Sequence, residues 1–486
     1  MSAATPIPED AAPASDPGQT SSAPALDLAT AQADALAAAV HAEQPRALAD
    51  LAELVAFPSV ADPAQYDWSH SRAAAAWLVA RLHELGVADA RVVDTVDGSQ
   101  TVLGGMPAPA GAPTVLLYGH YDVQPPLDEA AWHTPPFTLT PGEGGRLHGR
   151  GAADCKGNLV AHLSALRALR ATAGALPVGV RVVFEGSEEQ GGQGLDRWLA
   201  EHPEDFAADV MLIMDSGNVA AGEPTLTVAL RGVGDLTVAV DTVPVALHSG
   251  QFGGAAPDAL QALIMMLASL RGPAGDLTVP GIPADQRWAG ADYPEERFRA
   301  DAAVPDGAAI IGSGSIADML WARPTVTVLG VDAPPVVGST TAIQGHAAAR
   351  LNLRVPPGMS AAAAQRALAD RLRAVAPWGV RVTITDGGSG EGFAADTTTR
   401  TSRMLQAAMA RAFGRPVVFA GSGGAIPLTN ALQQRFPDAE IALFGVEDPA
   451  AAIHAPNESV LPAEIEAVAL SEALFLAALG ETARID

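Results

Sequence analysis

The sequence predicts an α/β protein in which a doubly wound domain is interrupted by a smaller α+β domain. Between Val115 and Asp215, short apolar runs alternate with amphipathic stretches, as strands and helices do in a doubly wound sheet. After about Arg231 the pattern changes to the order β-α-β-β-α-β, which is the split ferredoxin-like unit. The length of 486 residues also exceeds one ordinary hydrophobic core.

The first domain begins with a helical, Ala/Leu-rich pattern near Leu26. Its strand-like stretches are "TVLLYGHYDV", "VGVRVVFEG" and "DVMLIMDSG", and the first two are separated by the helical stretch "NLVAHLSALRALRAT". After residue 390 the domain resumes with a helix, the strand "PVVFA", a helix from "IPLTNAL", the strand "EIALFGV" and a last helix.

The inserted domain has four predicted strands and two predicted helices. The strands are "DLTVAVD", "TVTVLGV", "AAARLNLRV" and "GVRVTITD", and the helices are "DALQALIMMLASL" and "AAAAQRALADRLRAV". Residues 272–307 are predicted to be a long polar loop, and the glycine-rich "DGGSGEGFAAD" a hinge. The predicted organisation is a disordered tail (1–25), a main domain (26–230 and 391–486) and an insertion (231–390).

The composition argues against several classes of partner. The net charge is −26, from 29 basic and 55 acidic residues, whereas nucleic acids and anionic membranes require a basic surface. No run of about 18 apolar residues predicts a membrane span. Cys155 is the single cysteine, so no intrachain disulfide can form, and a reducing compartment fits. We expect a soluble, cytoplasmic protein.

Acidic and imidazole side chains follow the predicted strands. His120, Glu188, Glu189 and Asp215 each come after a strand, at the sheet edge where such folds bind ligands. Taken singly, each is equally well interpreted as a turn or surface residue, and so are Asp154 in a glycine-flanked loop and His454 before the last helix.

Taken together, these six residues are the ligand types that hold divalent metal ions. Without cations, their convergence would be opposed by repulsion and desolvation. Asp122 lies two residues after His120 in extended chain, so both side chains share a face. Asp122 can then accept the imidazole N–H and orient the ring toward a metal.

Six motifs in order resemble the dinuclear zinc peptidases of the carnosinase, dipeptidase and aminoacylase group. They are "GHYDVQP", "GRGAADCKGN", "EGSEEQGG", "DSGN", "HSGQFGG" and "HAPNE", and the resemblance covers about residues 45 to 480. The nearest likeness is to the carnosinase-like dipeptidases. It implies a zinc-peptidase-like mixed sheet and an inserted domain that serves as a lid and dimerisation domain.

The resemblance also implies the ligand set. His120 and Asp215 would bind one metal ion, Glu189 and His454 the other, and Asp154 would bridge them. The two ions are expected to be zinc, although such ligands also accept manganese or cobalt. Glu188 would be the general base that activates a metal-bridging water, and Asp122 would orient His120.

The implied reaction is hydrolysis of dipeptides or short peptides that have a free C-terminal carboxylate. In a homodimer, His248 would reach the partner's active site and stabilise the oxyanion. Arg354 would clamp the substrate carboxylate, although Arg350 on the same strand face makes a solvated basic surface an alternative. Gly424 lies in "GSGGAIP" before a helix, where backbone N–H groups favour an anionic substrate end.

Two other functions stay open at this point. A deacylase of N-acyl amino acids would use the same dinuclear site, because its substrates also present an amide and a carboxylate. A binding protein that has lost catalysis would keep the fold, but every expected ligand and the base are present here.

The chain departs from the family pattern near the expected site. Cys155 replaces a usual aspartate, and we interpret it as a small packed residue, with a redox role of the thiol beside the metal as the alternative. Lys156, the single lysine of the chain, matches the family pattern and indicates a local structural role. Ser422 and Ala425 differ from the acid and the hydroxyl residue of many relatives, which leaves the substrate pocket open.

Overall fold

The computed structural model describes residues 28–424 and 426–482. The predicted tail 1–25 and Ala425 lie outside these residues. In chain order the strands are β1 (Arg91–Asp94), β2 (Gln100–Met106), β3 (Thr114–His120), β4 (Thr140–Pro141), β5 (Leu147–His148), β6 (Gly179–Glu185), β7 (Val210–Met214), β8 (Thr225–Leu230), β9 (Gly232–Asp241), β10 (Leu247–His248), β11 (Thr325–Asp332), β12 (Ala342–Ile343), β13 (His346–Val355), β14 (Arg381–Gly390), β15 (Phe393–Ala394), β16 (Val418–Ser422), β17 (Glu440–Phe444) and β18 (Ser459–Val460).

The α-helices of the described chain surround two of the sheets. They are α1 (Thr30–Val55), α2 (Trp68–Glu84), α3 (Lys156–Ala173), α4 (Gln193–Glu201), α5 (Ser249–Phe252), α6 (Ala259–Ala268), α7 (Glu295–Asp301), α8 (Ala361–Ala374), α9 (Arg400–Phe413), α10 (Pro427–Arg435) and α11 (Pro462–Thr482). Within residues 28–424 and 426–482, none of them combines the length and apolar character that crossing a bilayer requires.

A nine-stranded mixed sheet forms the larger part of the molecule. Its order is β1-β2-β6-β3-β7-β17-β8-β15, with β16 also paired to β8. The four strands β6, β3, β7 and β17 are parallel to their neighbours within this group, so their carboxyl ends meet at one edge. Helices α1, α3, α9 and α11 bury one face, and α4 and α10 bury the other. The α/β fold class predicted from the sequence is confirmed.

Strand β3 shows why this sequence occupies the middle of a covered sheet. Val115 and Leu117 join the core on one face, whereas Leu116 and Tyr118 join the core on the other. Because successive side chains of a strand point to opposite faces, a continuous apolar run is buried on both sides.

A four-stranded antiparallel sheet is formed by residues of the insertion. Its order is β11-β13-β9-β14, and α6 and α8 pack on it around a separate apolar core. The chain leaves the large sheet at Arg231 and returns after β14. The order β9-α6-β11-β13-α8-β14 agrees with the predicted ferredoxin-like pattern, while the domain boundaries and the role as a lid stay predictions.

The predicted long loop 272–307 contains a helix that the sequence pattern did not reveal. Helix α7 has only seven residues, too few for a clear period. It is stabilised by the ion pairs Arg299–Glu295 and Arg297–Asp301, each between residues four positions apart. The prediction of an unstructured loop was therefore wrong for this segment.

Candidate metal centre

The predicted strand-end residues do meet at the carboxyl edge of the large sheet. His120 is the last residue of β3, and Asp215 directly follows β7. Glu188 and Glu189 begin a short 3₁₀ turn three residues after β6 ends. Three parallel strands therefore deliver these four residues to one place.

Asp154 is shared by two groups of side chains. Its Oδ1 lies 2.9 Å from Nε2 of His120, and this nitrogen is 3.2 Å from Oδ1 of Asp215. Its Oδ2 lies 2.9 Å from Nε2 of His454, and that nitrogen is 3.3 Å from Oε1 of Glu189. One carboxylate thus faces two separate imidazole–carboxylate pairs.

Two residues that were not predicted as metal ligands, Glu447 and Cys155, also lie close to these imidazole–carboxylate pairs. Ligand atoms of Glu447, Asp154 and Asp215 lie within 4.8 Å of one another, and the same holds for Cys155, His120 and Asp215. Glu447 follows β17 by three residues, so the strand-end rule that identified the others could have found it. Cys155 is buried, and its thiol donates to the carbonyl of Met214 at 2.9 Å, as expected of a packed residue.

The chemistry of this donor set fits two divalent cations. Burial, followed by the charges of Asp154 and Asp215, raises the pKa of Glu447 well above its usual value. Burial also raises the pKa of Asp215. Oε1 of Glu189 is shielded from solvent and lies 3.3 Å from Nε2 of His454. Two imidazoles and several carboxylates in such crowding are a typical ligand set for zinc or a similar ion.

The histidines respond to the same crowding. Hydrogen bonds with Asp154 and then Glu189 raise the pKa of His454 to about 10. Burial lowers the pKa of His120, but the negative charge of the surrounding groups outweighs burial and raises it well above the ordinary value. The acidic groups therefore favour positive charge between the carboxylates and the Nε2 atoms, where a divalent cation would replace the imidazolium proton.

Asp122 holds the acidic loop as well as the histidine. Its carboxylate accepts hydrogen bonds from the backbone N–H groups of Glu188 at 3.1 Å and Glu189 at 3.0 Å. Nδ1 of His120 lies 3.0 Å from the main-chain carbonyl of Asp122 and 3.4 Å from its carboxylate. Nδ1 therefore lies closer to the carbonyl of Asp122 than to its carboxylate, which two backbone N–H donors already engage.

Glu458 positions Asp154 by binding the backbone of its loop, a role that the sequence did not suggest. Its carboxylate accepts from the backbone N–H groups of Gly151, Ala153 and Asp154 at 2.9, 3.0 and 3.1 Å. Arg150 donates to the same carboxylate at 2.7 Å, and both side chains are buried. Glu458 lies in "HAPNE", the motif that contains His454, so its place in the resemblance was the only available signal.

Other backbone constraints hold the neighbouring residues. Buried Lys156 donates to the carbonyl oxygens of Leu54 and Phe57 at 2.9 and 2.8 Å, which agrees with the predicted structural role. His454 has a φ of 59°, a conformation that costs a non-glycine residue about 1–3 kcal/mol and recurs at functional sites.

Glu188 lines a cavity of about 640 Å³ that opens beside the shared Asp154. Burial, and then the charge of Asp215, raise the pKa of Glu188 to about 9. The cavity also contains the predicted substrate residue Gly424. Glu188 is thus placed beside both metal groups and open to a ligand.

The described residues that line this cavity do not include His248 or Arg354. His248 is exposed, and its Nδ1 accepts from the backbone N–H of Gly250 at the start of α5. Arg354 lies on β13, where its Nε donates to Asn352 at 3.0 Å. Within one chain, the structure does not bring these two predicted residues to the metal groups.

Comparisons with known proteins agree with the fold and the geometry. Residues 116–478 match the sequence profile described as Peptidase family M20/M25/M40. A cysteinylglycine-S-conjugate dipeptidase from Corynebacterium striatum is 44% identical over 440 residues, 90% of this chain and 96% of that protein. The Cys-Gly metallodipeptidase dug1 from Schizosaccharomyces pombe is 33% identical over 54% of this chain and 57% of its own length.

A solved structure extends the likeness to the whole fold. Human carnosine dipeptidase 1 matches with a TM-score of 0.75 at 24% identity, covering 92% of this chain and 99% of that one. The predicted resemblance to metallopeptidases is thereby confirmed, and the chain belongs to peptidase family M20/M25/M40.

Proposed function

We propose that the protein is a metal-dependent dipeptidase that cleaves cysteinylglycine and its S-substituted conjugates. The observation that carries this proposal is the cluster, buried except at His454, in which Asp154 faces two imidazole–carboxylate pairs beside Glu188. The substrate class is supported by the Corynebacterium striatum dipeptidase, which aligns over nearly its full length.

Two divalent cations, most simply zinc, would be held by the cluster. His120, Asp154 and Asp215 would hold one, and Asp154, Glu189 and His454 the other. When bound, such cations polarise the scissile carbonyl and lower the pKa of a water molecule. Manganese or cobalt would suit the same donors.

The protein's own residues would move the proton. Glu188 lines the cavity, where its carboxylate can take a proton from the attacking water and later give it to the leaving amine. Asp122 would keep Glu188 in place, because it accepts the Glu188 backbone N–H.

The substrate's carboxylate would be bound at the opposite end. Gly424 lines the cavity before α10, where backbone N–H groups favour an anion. Arg354, whose pKa is lowered by burial, would approach as a second contact when the inserted domain closes.

A homodimer would supply His248 from the neighbouring subunit. Edge strand β11 exposes Val328, Leu329 and Val331 by 44 to 52%, and α6 exposes Ile264 and Met265 by 51 and 44%. An exposed apolar edge strand favours pairing with a second copy. His248 is exposed on the same insertion and does not reach its own cavity.

Hydrolysis of a substrate panel tests the function. The panel contains cysteinylglycine, S-benzyl-cysteinylglycine, N-acetylalanine and N-succinylalanine, each with metal-stripped and zinc-restored protein. We expect zinc-dependent hydrolysis of the dipeptides alone. Hydrolysis of only the N-acyl amino acids would indicate a deacylase, and no hydrolysis with bound metal would indicate a binding protein.

A further inference from the structure

The cavity beside the metal groups has a second wall that is apolar and aromatic. Besides the acidic residues, its lining includes the side chains of Val219, Leu230, Tyr293, Trp321, Ile426 and Ile453. Tyr293 is half-buried and Ile453 is 40% exposed, so part of this surface is open to a ligand. A concave apolar surface beside a charged centre favours an apolar ligand group.

The wall is built by the inserted segment docking on the large sheet. The rings of Tyr293 and Trp321 are nearly parallel, at 20°, with centroids 5.8 Å apart. Trp288 meets Trp321 edge-on at 5.3 Å. The N–H of Ala291 donates to the carbonyl of Phe419 on β16 at 2.7 Å, which fixes this segment to an edge of the large sheet.

Tyr293 presents its ring to the cavity as a neutral phenol. Its hydroxyl donates to Asp301 at 2.6 Å. Burial, and then this hydrogen bond, raise the pKa of Tyr293 to about 12. The guanidinium carbon of Arg297 lies 5.7 Å from the ring centroid, so the ring is held from α7 as well.

We propose that Tyr293 and Trp321 form the subsite that selects dipeptides with a large apolar or aromatic side chain on the N-terminal residue. This inference rests on the proposed dipeptidase function. In an S-conjugate of cysteinylglycine only the first residue has a side chain, because glycine has none. The S-substituent is therefore the one group of the substrate that can cover the aromatic wall and remove it from water.

Binding to a catalytically silent protein tests this subsite without depending on turnover. In zinc-loaded Glu188→Gln protein, calorimetry would compare S-benzyl-cysteinylglycine with alanylglycine. Adding Tyr293→Ala should weaken binding of the S-benzyl dipeptide about tenfold, the size of one lost aromatic contact, and change alanylglycine binding less than twofold. Tyr293→Phe should keep the preference, because the ring remains.

Phe298→Ala is the matched control, because Phe298 on α7 contacts the Tyr293 ring edge-on, with centroids 5.8 Å apart, but does not line this cavity. It should leave the preference intact. Equal weakening of both dipeptides by Tyr293→Ala, no weakening, or an equal effect of Phe298→Ala would overturn the subsite. Selective binding without hydrolysis by the unmutated protein would count against the dipeptidase function alone.

Discussion

At the scale of single residues, the proposed base Glu188 is distinct from the proposed metal ligands. Its carboxylate lines the cavity but is not among the clustered ligand atoms of the described residues. Glu188→Gln keeps the shape of the side chain and removes the base. We expect kcat to fall by at least about 100-fold, the usual contribution of a positioned base, with metal content by mass spectrometry unchanged.

Glu189→Gln is the neighbouring comparison. Glu189 has a carboxylate oxygen 3.3 Å from Nε2 of His454 and belongs to one of the metal groups. This variant should lose metal as well as turnover. Full activity in Glu188→Gln, or equal metal loss in both variants, would contradict the assignment of Glu188.

Glu458 provides a second prediction, because it anchors Asp154 without belonging to the clustered ligand groups. Glu458→Gln weakens the buried ion pair with Arg150 and replaces one acceptor oxygen by a donor. We expect about 3 kcal/mol less free energy of unfolding. We also expect about 10- to 100-fold weaker zinc binding, measured by competition with a chelator.

Glu201→Gln is a suitable control for Glu458. It also removes an arginine partner, Arg197, but both side chains are more than half exposed, so its effect on stability should be small. Zinc affinity unchanged in Glu458→Gln would show that the loop of Asp154 holds its position without this anchor.

The strand-end ligands could be predicted from the sequence, whereas the anchors could not. His120 and Asp215 end apolar runs, and this position alone suggests a shared edge. Glu458 acts through three backbone N–H groups, and backbone donors carry no sequence signature. The partner of the His120 ring was equally hidden, since the spacing to Asp122 does not tell a carbonyl from a carboxylate.

At the scale of elements, the start of α3 determines how closely the Asp154 loop approaches β17. A Cβ at Gly157 would lie 2.4 Å from the carbonyl oxygen of Ala152 and 3.0 Å from Cγ2 of Val446. Gly157→Ala should therefore lower the free energy of unfolding by about 1–3 kcal/mol, measured in urea, and weaken zinc binding.

Gly390→Ala adds the same methyl group where the nearest atom is an ordinary 3.6 Å away. It should change both quantities much less than Gly157→Ala. If the two variants had equal effects, the loss of stability and of zinc binding would come from glycine replacement in general and not from the close contact at α3.

Long periodic elements were predictable, and the short helix α7 was not. Strand β9 alternates buried and half-buried residues over ten positions, which makes its period visible in the sequence. Helix α7 spans two turns within a polar segment and is stabilised by ion pairs. Tyr293, just before it, stacks on Trp321, which is distant in sequence. The contribution of α7 to the cavity could therefore be recognised only from the tertiary structure.

At the scale of the whole molecule, the crowded acids predict that stability depends on bound metal. Without cations, buried Asp154 and half-buried Asp215 and Glu447 would lie close together with uncompensated charge. We expect chelation to lower the melting temperature by a few degrees or more, with recovery on adding zinc. In Asp154→Asn, which lacks the shared carboxylate, chelation should shift the melting temperature much less; an equal shift would place the stabilising metal elsewhere.

The proposed dimer leads to the last prediction, complementation between two inactive variants. His248→Ala and Glu188→Gln should each be inactive as homodimers. A mixed dimer would contain one complete site, which has Glu188 from one chain and His248 from the other. If equal mixing yields half mixed dimers, about a quarter of full activity should return, because one site in two is complete in these dimers.

Sedimentation velocity would establish that the mixture is dimeric. In the matched control, a chain that carries both substitutions is mixed with the Glu188→Gln chain. That control should stay inactive, since no site in it combines Glu188 with His248. Restored activity follows only if His248 acts across the subunit boundary, because a residue acting within its own chain would leave both kinds of site incomplete. His248 lies outside its own cavity in the single chain, so the geometry favours recovery. If the mixture is dimeric but activity does not recover, each active site lies within one chain. His248 would then have only a structural role at the start of α5.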